Sequence, residues 1–365
     1  MTSQQRPLCL ALQGGGSHGA YTWGVLDALL ADGRFSVSAV SGTSAGALNA
    51  AALVQGLAQG GPEGARERLE ILWREVGQRS PLRATDWIIP DPARVILSPV
   101  IRASLETFQF FNNFFSPYQI GPAAPNVLEK IIDSVIDIRT LRESSIPLFI
   151  SATNVRSGNL AIFTGNGIST KALLASACLP ELFRAVEIDG EAYWDGGYAG
   201  NPSLKPLLDL EDDCLDILVV QVTPFVRDAL PRSAPDIMNR VNEITFNASF
   251  LRELTGICDG QNFIRRQGAA ETPELKRLAG LRLHFLPAAV ELGREDMASK
   301  IDTRLTYLDS LRRTGRQACL RWLASGGADD IGSRSSLDLN VLLNPSRPNA
   351  RAGTREALRL SGGAG

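Results

Sequence analysis

The chain has 365 residues, 44% of them hydrophobic and 21% charged, enough to bury a large core and consistent with one α/β domain carrying an appended segment. A net charge of −2 and a pI near 5.9 give no electrostatic footprint for nucleic acid, and no polybasic cluster marks an anionic membrane surface. The chain has no signal-peptide pattern and no apolar stretch of transmembrane length, and its five scattered cysteines (Cys9, Cys178, Cys214, Cys258 and Cys319) read as reduced thiols; the expectation is a cytoplasmic protein with at most peripheral membrane contact.

In chain order, residues 8–13 (LCLALQ) predict a buried strand that ends directly in Gly14-Gly15-Gly16-Ser17-His18-Gly19. Apolar residues at Tyr21, Val25, Leu26, Leu29 and Leu30 predict a helix behind that loop. Glycines at 14, 16 and 19 satisfy the spacing of a dinucleotide-binding fingerprint. That reading needs an acidic residue at the end of the second strand for the ribose hydroxyls, whereas here the second strand runs into Ser41-Gly42. No Gly-Lys-Ser/Thr follows, which excludes a P-loop. Two readings remain: a glycine-rich turn without chemistry, or an oxyanion hole, in which backbone N–H groups at a helix N-terminus meet negative charge developing on a carbonyl oxygen.

Residues 37–41 then lead into Gly42-Thr43-Ser44-Ala45-Gly46, and the alanine-rich stretch 45–57 predicts a helix. The pattern is strand, sharp turn, helix, with a serine at the apex. A turn that tight strains the serine backbone, and the flanking glycines let strand and helix approach without side-chain collision. The unpaired N–H groups and positive dipole end of the helix point at whatever the hydroxyl attacks. The competing reading is a Gly/Ser loop that caps a helix.

A further helix is predicted over 65–77. The stretch 81–125 differs in being rich in proline and aromatics: five of the 14 phenylalanines lie between Phe108 and Phe115, with Trp87, Ile88, Ile89 and Tyr118 nearby. It reads either as packing beneath a sheet edge or as a lid or acyl groove screening the site. Strands are expected over 146–154, 159–163, a 186–194 hairpin turning at Asp189-Gly190, and 215–223, the last apolar throughout as a central parallel strand should be. Asp195-Gly196-Gly197 follows the hairpin, its carboxylate either a turn former or a base held at an open site. Beyond Pro224, residues 235–255 predict an amphipathic helix, 280–287 a strand and 299–324 a long helix, elements that complete the core or form a dimer interface. The tail from Gly326 is Gly/Ser/Arg-rich and is expected not to pack.

Taken in order and at their spacing, the glycine-rich loop Gly14 to Gly19, the Gly42-Thr43-Ser44-Ala45-Gly46 turn and Asp195-Gly196-Gly197 resemble the patatin-like phospholipase family. Ser151-Ala152-Thr153-Asn154 and Ala175-Ser176-Ala177-Cys178-Leu179-Pro180 are similar to further segments of that family, and the likeness spans residues 6–225. It implies an α/β fold, a three-layer α/β/α arrangement with a mostly parallel central sheet. A catalytic domain would cover 6–225, with an α-rich extension over 226–330 packing on the core and a flexible tail over 331–365. Carried over by position, Ser44 is the nucleophile, Asp195 the general base, and Gly14, Gly15 and Gly16 the oxyanion hole, while Gly19, Gly42, Gly46, Gly196 and Gly197 complete the motifs. No metal or organic cofactor is implied. Family members often carry Arg or Lys where this chain has His18.

The chemistry of such a dyad can be stated independently. An aspartate at its ordinary pKa of about 3.9 is a weak base for a serine hydroxyl, so burial must raise it. The rival is a Ser44–Asp195–His284 triad of the α/β-hydrolase type, whose chain order it matches. Only 43 residues precede the serine, room for little more than one strand–helix unit, and His284 lies in an alternating strand pattern rather than on a loop. The expected function is a lipid acyl hydrolase of phospholipase A or lysophospholipase type, acting on lipid or acyl-ester substrates through an acyl-enzyme. A short-ester esterase and a non-catalytic lipid-binding protein are the alternatives, and a homo-oligomer is compatible with the sequence.

Overall fold

The computed structural model describes residues 5–79, 127–210, 214–227, 230–268, 270–288, 292 and 298–336. The apolar insertion expected over 81–125 lies outside them. Among the described residues eight strands form a single sheet: β1 (Arg6–Leu12), β2 (Phe35–Thr43), β3 (Leu148–Asn154), β4 (Leu160–Phe163), β5 (Val186–Ile188), β6 (Glu191–Asp195), β7 (Asp216–Val220) and β8 (Arg282–Leu286). Their order is β5-β6-β3-β2-β1-β7-β8, with β4 also paired to β3. The five strands β3, β2, β1, β7 and β8 are mutually parallel, and β4 and β6 join β3 antiparallel.

Apolar patterning explains why β1 sits at the centre. Leu8, Leu10 and Leu12 face a buried cluster shared with α1 (Gly19–Asp32), α2 (Ala45–Gln78) and, later in the chain, Leu311 and Trp322. Cys9 and Ala11 face a second cluster with Phe250, Leu254, Leu283 and Phe285 on the opposite side. A parallel strand covered on both faces needs no polar side, which is why residues 8–12 read as one apolar run. Beyond the second strand come α3 (Val127–Val135), α4 (Ile138–Glu143), α5 (Thr170–Ser176), α6 (Lys205–Leu208), α7 (Ala234–Gln267), α8 (Pro273–Gly280), α9 (Leu305–Ala324) and α10 (Gly327–Asp330). The β5–β6 hairpin turns at Asp189 and Gly190, with φ of 52° and 81°, the two positive values that a tight primed turn demands.

Several boundaries differ from the sequence reading. The helices expected over 45–57 and 65–77 join into α2 across a kink at Gly60-Gly61-Pro62, where non-helical dihedrals at the two glycines break the ladder. The long C-terminal helix begins at Leu305, six residues later than expected, because residues 298–301 form a separate 3-10 turn. Residues 331–336, expected as the start of a flexible tail, are instead fastened to the sheet. Gly332 N–H donates to Asp216 Oδ1 at 3.0 Å, and the N–H groups of Leu283 and Phe285 donate to the Ser335 and Ser336 hydroxyls at 3.1 and 3.4 Å. The reason is that β8 is an outer strand whose free N–H groups need acceptors.

One helix crossing is set by glycine. A Cβ on Gly24 of α1 would stand 1.9 Å from the Arg312 carbonyl oxygen of α9, and one on Gly315 would stand 2.0 Å from that of Tyr21. The two backbones therefore meet directly, and α9 closes over α1.

The chain steps from β1 to β2 and β3 on one side, then returns to place β7 on the other side of β1. That reversal opens a crevice at the carboxyl end of β1, where α/β sheets place their sites.

Candidate active site

The glycine loop leaves β1 at this crevice, and Ser44 follows β2 beside it. Ser44 has φ 55° and ψ −125°, a conformation that non-glycine residues rarely adopt, at the N-terminus of α2. Glycines on both sides make the turn possible: a Cβ on Gly42 would stand 2.6 Å from the Gly46 carbonyl oxygen, and one on Gly46 only 2.2 Å from that of Leu12. Ser44 is 8% exposed, and its backbone N–H donates to Ser176 Oγ at 2.8 Å. Ala45, the first residue of α2, has no intrahelical acceptor for its N–H.

Asp195 reaches the same place from β6. Its strand pairs with the end of β3, Ala152 opposite Asp195, while its N–H donates to the Cys178 carbonyl at 2.7 Å and its carbonyl accepts from Thr153 Oγ1 at 2.8 Å. Gly196 packs against Ser151 and Thr43, and Gly197 against Phe246 of α7. The following segment is stitched to β2 by two hydroxyls on one strand face: Thr43 Oγ1 donates to the Gly200 carbonyl and Ser41 Oγ to the Ser203 carbonyl, both at 2.7 Å. β2 thus carries the serine at its end and clamps the segment after the aspartate along its side.

The Asp195 carboxylate is 1% exposed. Burial pushes its pKa up to about 7; the Gly197 N–H and the Ser44 hydroxyl pull it back in part, and the Glu181 charge adds to the rise. Oδ1 accepts from Gly197 N–H at 2.7 Å. Oδ2 has no partner of standard hydrogen-bond geometry among the described residues, although the Ser44 hydroxyl is near enough to stabilise the anion. Serine and aspartate are neighbours, with one carboxylate oxygen uncommitted among the described residues.

The three expected oxyanion donors separate. Gly14 N–H is already committed to Asn201 Oδ1 at 2.7 Å, so Gly14 borders the site without offering a donor to it. A Cβ at Gly14 would lie 2.7 Å from Ser44 Cβ, which places the loop directly against the serine. Gly15 and Gly16 come next in the loop, Gly16 at φ 60° against the Lys300 carbonyl. Gly19 begins α1 and packs against Ala45 and Trp73, joining the two helix starts.

Neither histidine enters. His18 is buried with Nε2 2.9 Å from Ser299 Oγ and 3.3 Å from Tyr307 Oη. His284 lies on β8, three strands from β2, with Nε2 2.8 Å from Asp216 Oδ1. Three strand spacings amount to about 14 Å, too far for His284 to serve Ser44. Asp216 is held well below the usual carboxylate range despite burial, by His284 and the bidentate Arg282 guanidinium. This cluster ties β7 to β8. Ser176, Asn201, Gln13 and Asn247 were not among the sequence candidates; an amide immediately before the glycine loop and an Asn-Pro pair shortly after Asp195 were the available signals.

Among the described residues, no helix is long and apolar enough to cross a membrane, and no cluster of three or more His, Cys, Asp or Glu side chains could hold a metal ion.

A mostly parallel α/β sheet, with a strained serine after its second strand and a buried aspartate beside it, defines the class. Residues 10–208 match the sequence profile of patatin-like phospholipases, and the chain belongs to that family. The chain is similar to VipD from Legionella pneumophila, 16% identical, with a TM-score of 0.41 over 88% of this chain and 67% of that one. It is also similar to ExoU in the heterodimeric ExoU–SpcU complex of the Pseudomonas aeruginosa type III secretion system, 16% identical, with a TM-score of 0.32 over 100% of this chain and 84% of that one. No curated protein matches the chain by sequence.

Proposed function

We propose that the protein is a lipid acyl hydrolase that cleaves carboxylic esters through a Ser44–Asp195 dyad, without metal or organic cofactor. The observation that carries the reading is the buried Asp195 carboxyl, raised to about pKa 7 beside a serine in a strained strand-to-helix turn. Ser44 Oγ bonds to the ester carbonyl carbon while its proton passes to Asp195, and the carbonyl electron pair moves onto oxygen. The Gly15 and Gly16 N–H groups and the start of α2 stabilise that oxyanion. Its collapse expels the alcohol, which takes the proton from Asp195. Water then attacks the acyl-enzyme, again giving its proton to Asp195, and Ser44 recovers a proton as the acid leaves.

The lipid character of the substrate is supported by family membership. Contact with a membrane would be peripheral, and the cell compartment expected is the cytoplasm.

The test is labelling with an alkyl fluorophosphonate, followed by mass spectrometry. An adduct on Ser44 that disappears in Asp195→Asn is the expected result. Normal labelling and turnover in Asp195→Asn would overturn the dyad. A chain-length series of acyl esters then tests the lipid assignment, which fails if short esters are preferred with no gain above the micellar threshold.

A further inference from the structure

We infer that Asn201 is the positioning residue of this site: its side chain holds the glycine loop in register with Ser44, so that Gly15 and Gly16 present their N–H groups to the oxyanion. The inference rests on the acyl-transfer reading of Ser44.

The geometry begins with a completely buried amide. Asn201 Oδ1 accepts from Gly14 N–H at 2.7 Å. Because a backbone N–H can only donate, the atom facing it must be the amide oxygen, which fixes the orientation of the side chain. The position a Cβ would take on Gly14 lies 2.7 Å from Ser44 Cβ and 3.3 Å from Asn201 Oδ1, so the loop is held between nucleophile and amide.

A second amide locks the same loop from behind. Gln13 Oε1 accepts from the N–H groups of Val222 and Thr223 at 2.9 and 2.8 Å. Gln13 Nε2 donates to Asn247 Oδ1 at 2.8 Å and to the Asn201 carbonyl at 3.3 Å. Gln13, Asn201 and Asn247 are each at most 2% exposed. Three buried amides therefore join β1, the end of β7, α7 and the segment after Asp195. Asn201 itself sits between the two clamps from β2, at Gly200 and Ser203.

A glycine triplet has little conformational preference of its own, and donors must be held within about 0.5 Å of their working positions. Pinning Gly14 N–H to Asn201 removes that peptide from the cradle and sets the course of the next two. The same contact ties the loop to the segment that carries Asp195, giving base and oxyanion donors one frame. Asn201 Nδ2, meanwhile, has no partner among the described residues.

The experiment compares wild type, Asn201→Ala and Asn247→Ala by two readouts. The first is hydrogen exchange of the Gly14 amide, which needs no activity. The second is the rate of Ser44 labelling by an alkyl fluorophosphonate, with KM measured on an acyl ester. In Asn201→Ala, Gly14 should exchange at least ten-fold faster while β1 and β2 stay protected, and labelling should slow by about 10²-fold at little-changed KM, as for loss of an oxyanion donor. Unchanged Gly14 exchange, or faster exchange with unchanged labelling, overturns the inference. Should Asn201→Ala not fold, Asn247→Ala loosens the same lattice one bond further out. It should then speed Gly14 exchange and slow labelling by about ten-fold, a smaller share of that oxyanion-donor loss; a folded Asn247→Ala variant without these changes also overturns it. Wild-type protein that does not label at Ser44 sinks the hydrolase reading instead, while the exchange data still judge the Asn201 contact.

Discussion

The raised pKa of Asp195 has two consequences of opposite kind. If Asp195 is the base, as proposed, it must be ionised, so kcat/KM should climb about ten-fold per pH unit below 7 and level off above it, following this carboxyl in the free protein. For stability, the unfolded chain releases this proton near pH 3.9 and the folded chain near 7. Between those values the folded state binds more protons, so stability falls as pH rises. Asp195→Asn removes that penalty; its Tm should exceed wild type at pH 8, with the gap closing towards pH 4. A pH-independent Tm difference, or a profile flat through pH 7, would count against the burial that drives both effects.

Ser44 and Asp195 stand out as candidates in the sequence because their glycine neighbours advertise tight backbone. The residues that organise them do not. Ser176 meets Ser44 across 132 positions and Asn201 meets Gly14 across 187, and no local periodicity encodes contacts of that range. The partner of the Gly14 N–H was hidden for the same reason: its acceptor is a distant side chain, Asn201.

At the level of elements, the strands were read more reliably than the helices. β1 and β7 are short apolar runs bounded by turn residues, and the β5–β6 hairpin carries an Asp-Gly turn, signals that survive without tertiary context. The helices were blurred by glycine, which interrupts a helical pattern whether or not the helix continues. Gly24 is the opposite case, a mid-helix glycine kept because α9 leaves no room for a side chain. Gly24→Ala and Gly315→Ala should therefore destabilise the fold even though alanine favours helix by about 1 kcal/mol at such positions. Separating two helix backbones opens contacts on both sides, and a loss of about 2 kcal/mol or more is expected in denaturant unfolding. Labelling of Ser44 per folded molecule should stay unchanged. A gain in stability for either variant would mean that the crossing is looser than the structure has it.

For the molecule as a whole, the outer strand β8 is held by unlike means on its two sides. Toward β7 it has a regular ladder together with the Asp216–Arg282–His284 cluster. On its other side, among the described residues, the Ser335 and Ser336 hydroxyls accept from the Leu283 and Phe285 N–H groups, and the Ser336 N–H donates to the Leu283 carbonyl. The double variant Ser335→Ala, Ser336→Ala should lose about 1 kcal/mol per hydrogen bond. It should also associate more readily on heating, read by light scattering, as uncapped edges do. Unchanged stability and scattering would mean that water satisfies β8 equally well. This arrangement could not be read in advance, since a Gly/Ser/Arg-rich stretch has the composition of a tail and shows its use only against the strand that it covers.

The order of strands in space has a consequence in time. β1 is flanked by β2, made shortly after it, and by β7, which begins at Asp216. At ribosomal speeds of about 5–20 residues per second, roughly ten to forty seconds separate the two neighbours. Through that interval the central strand of the finished protein is an edge, with Ser44 already translated and Asp195 following only near its end. A nascent chain therefore carries an uncovered edge of β1 beside the Ser44 turn before β7 has been made to cover it. The stage at which it most needs shielding, by the ribosome or a chaperone, is the middle of its synthesis rather than the end.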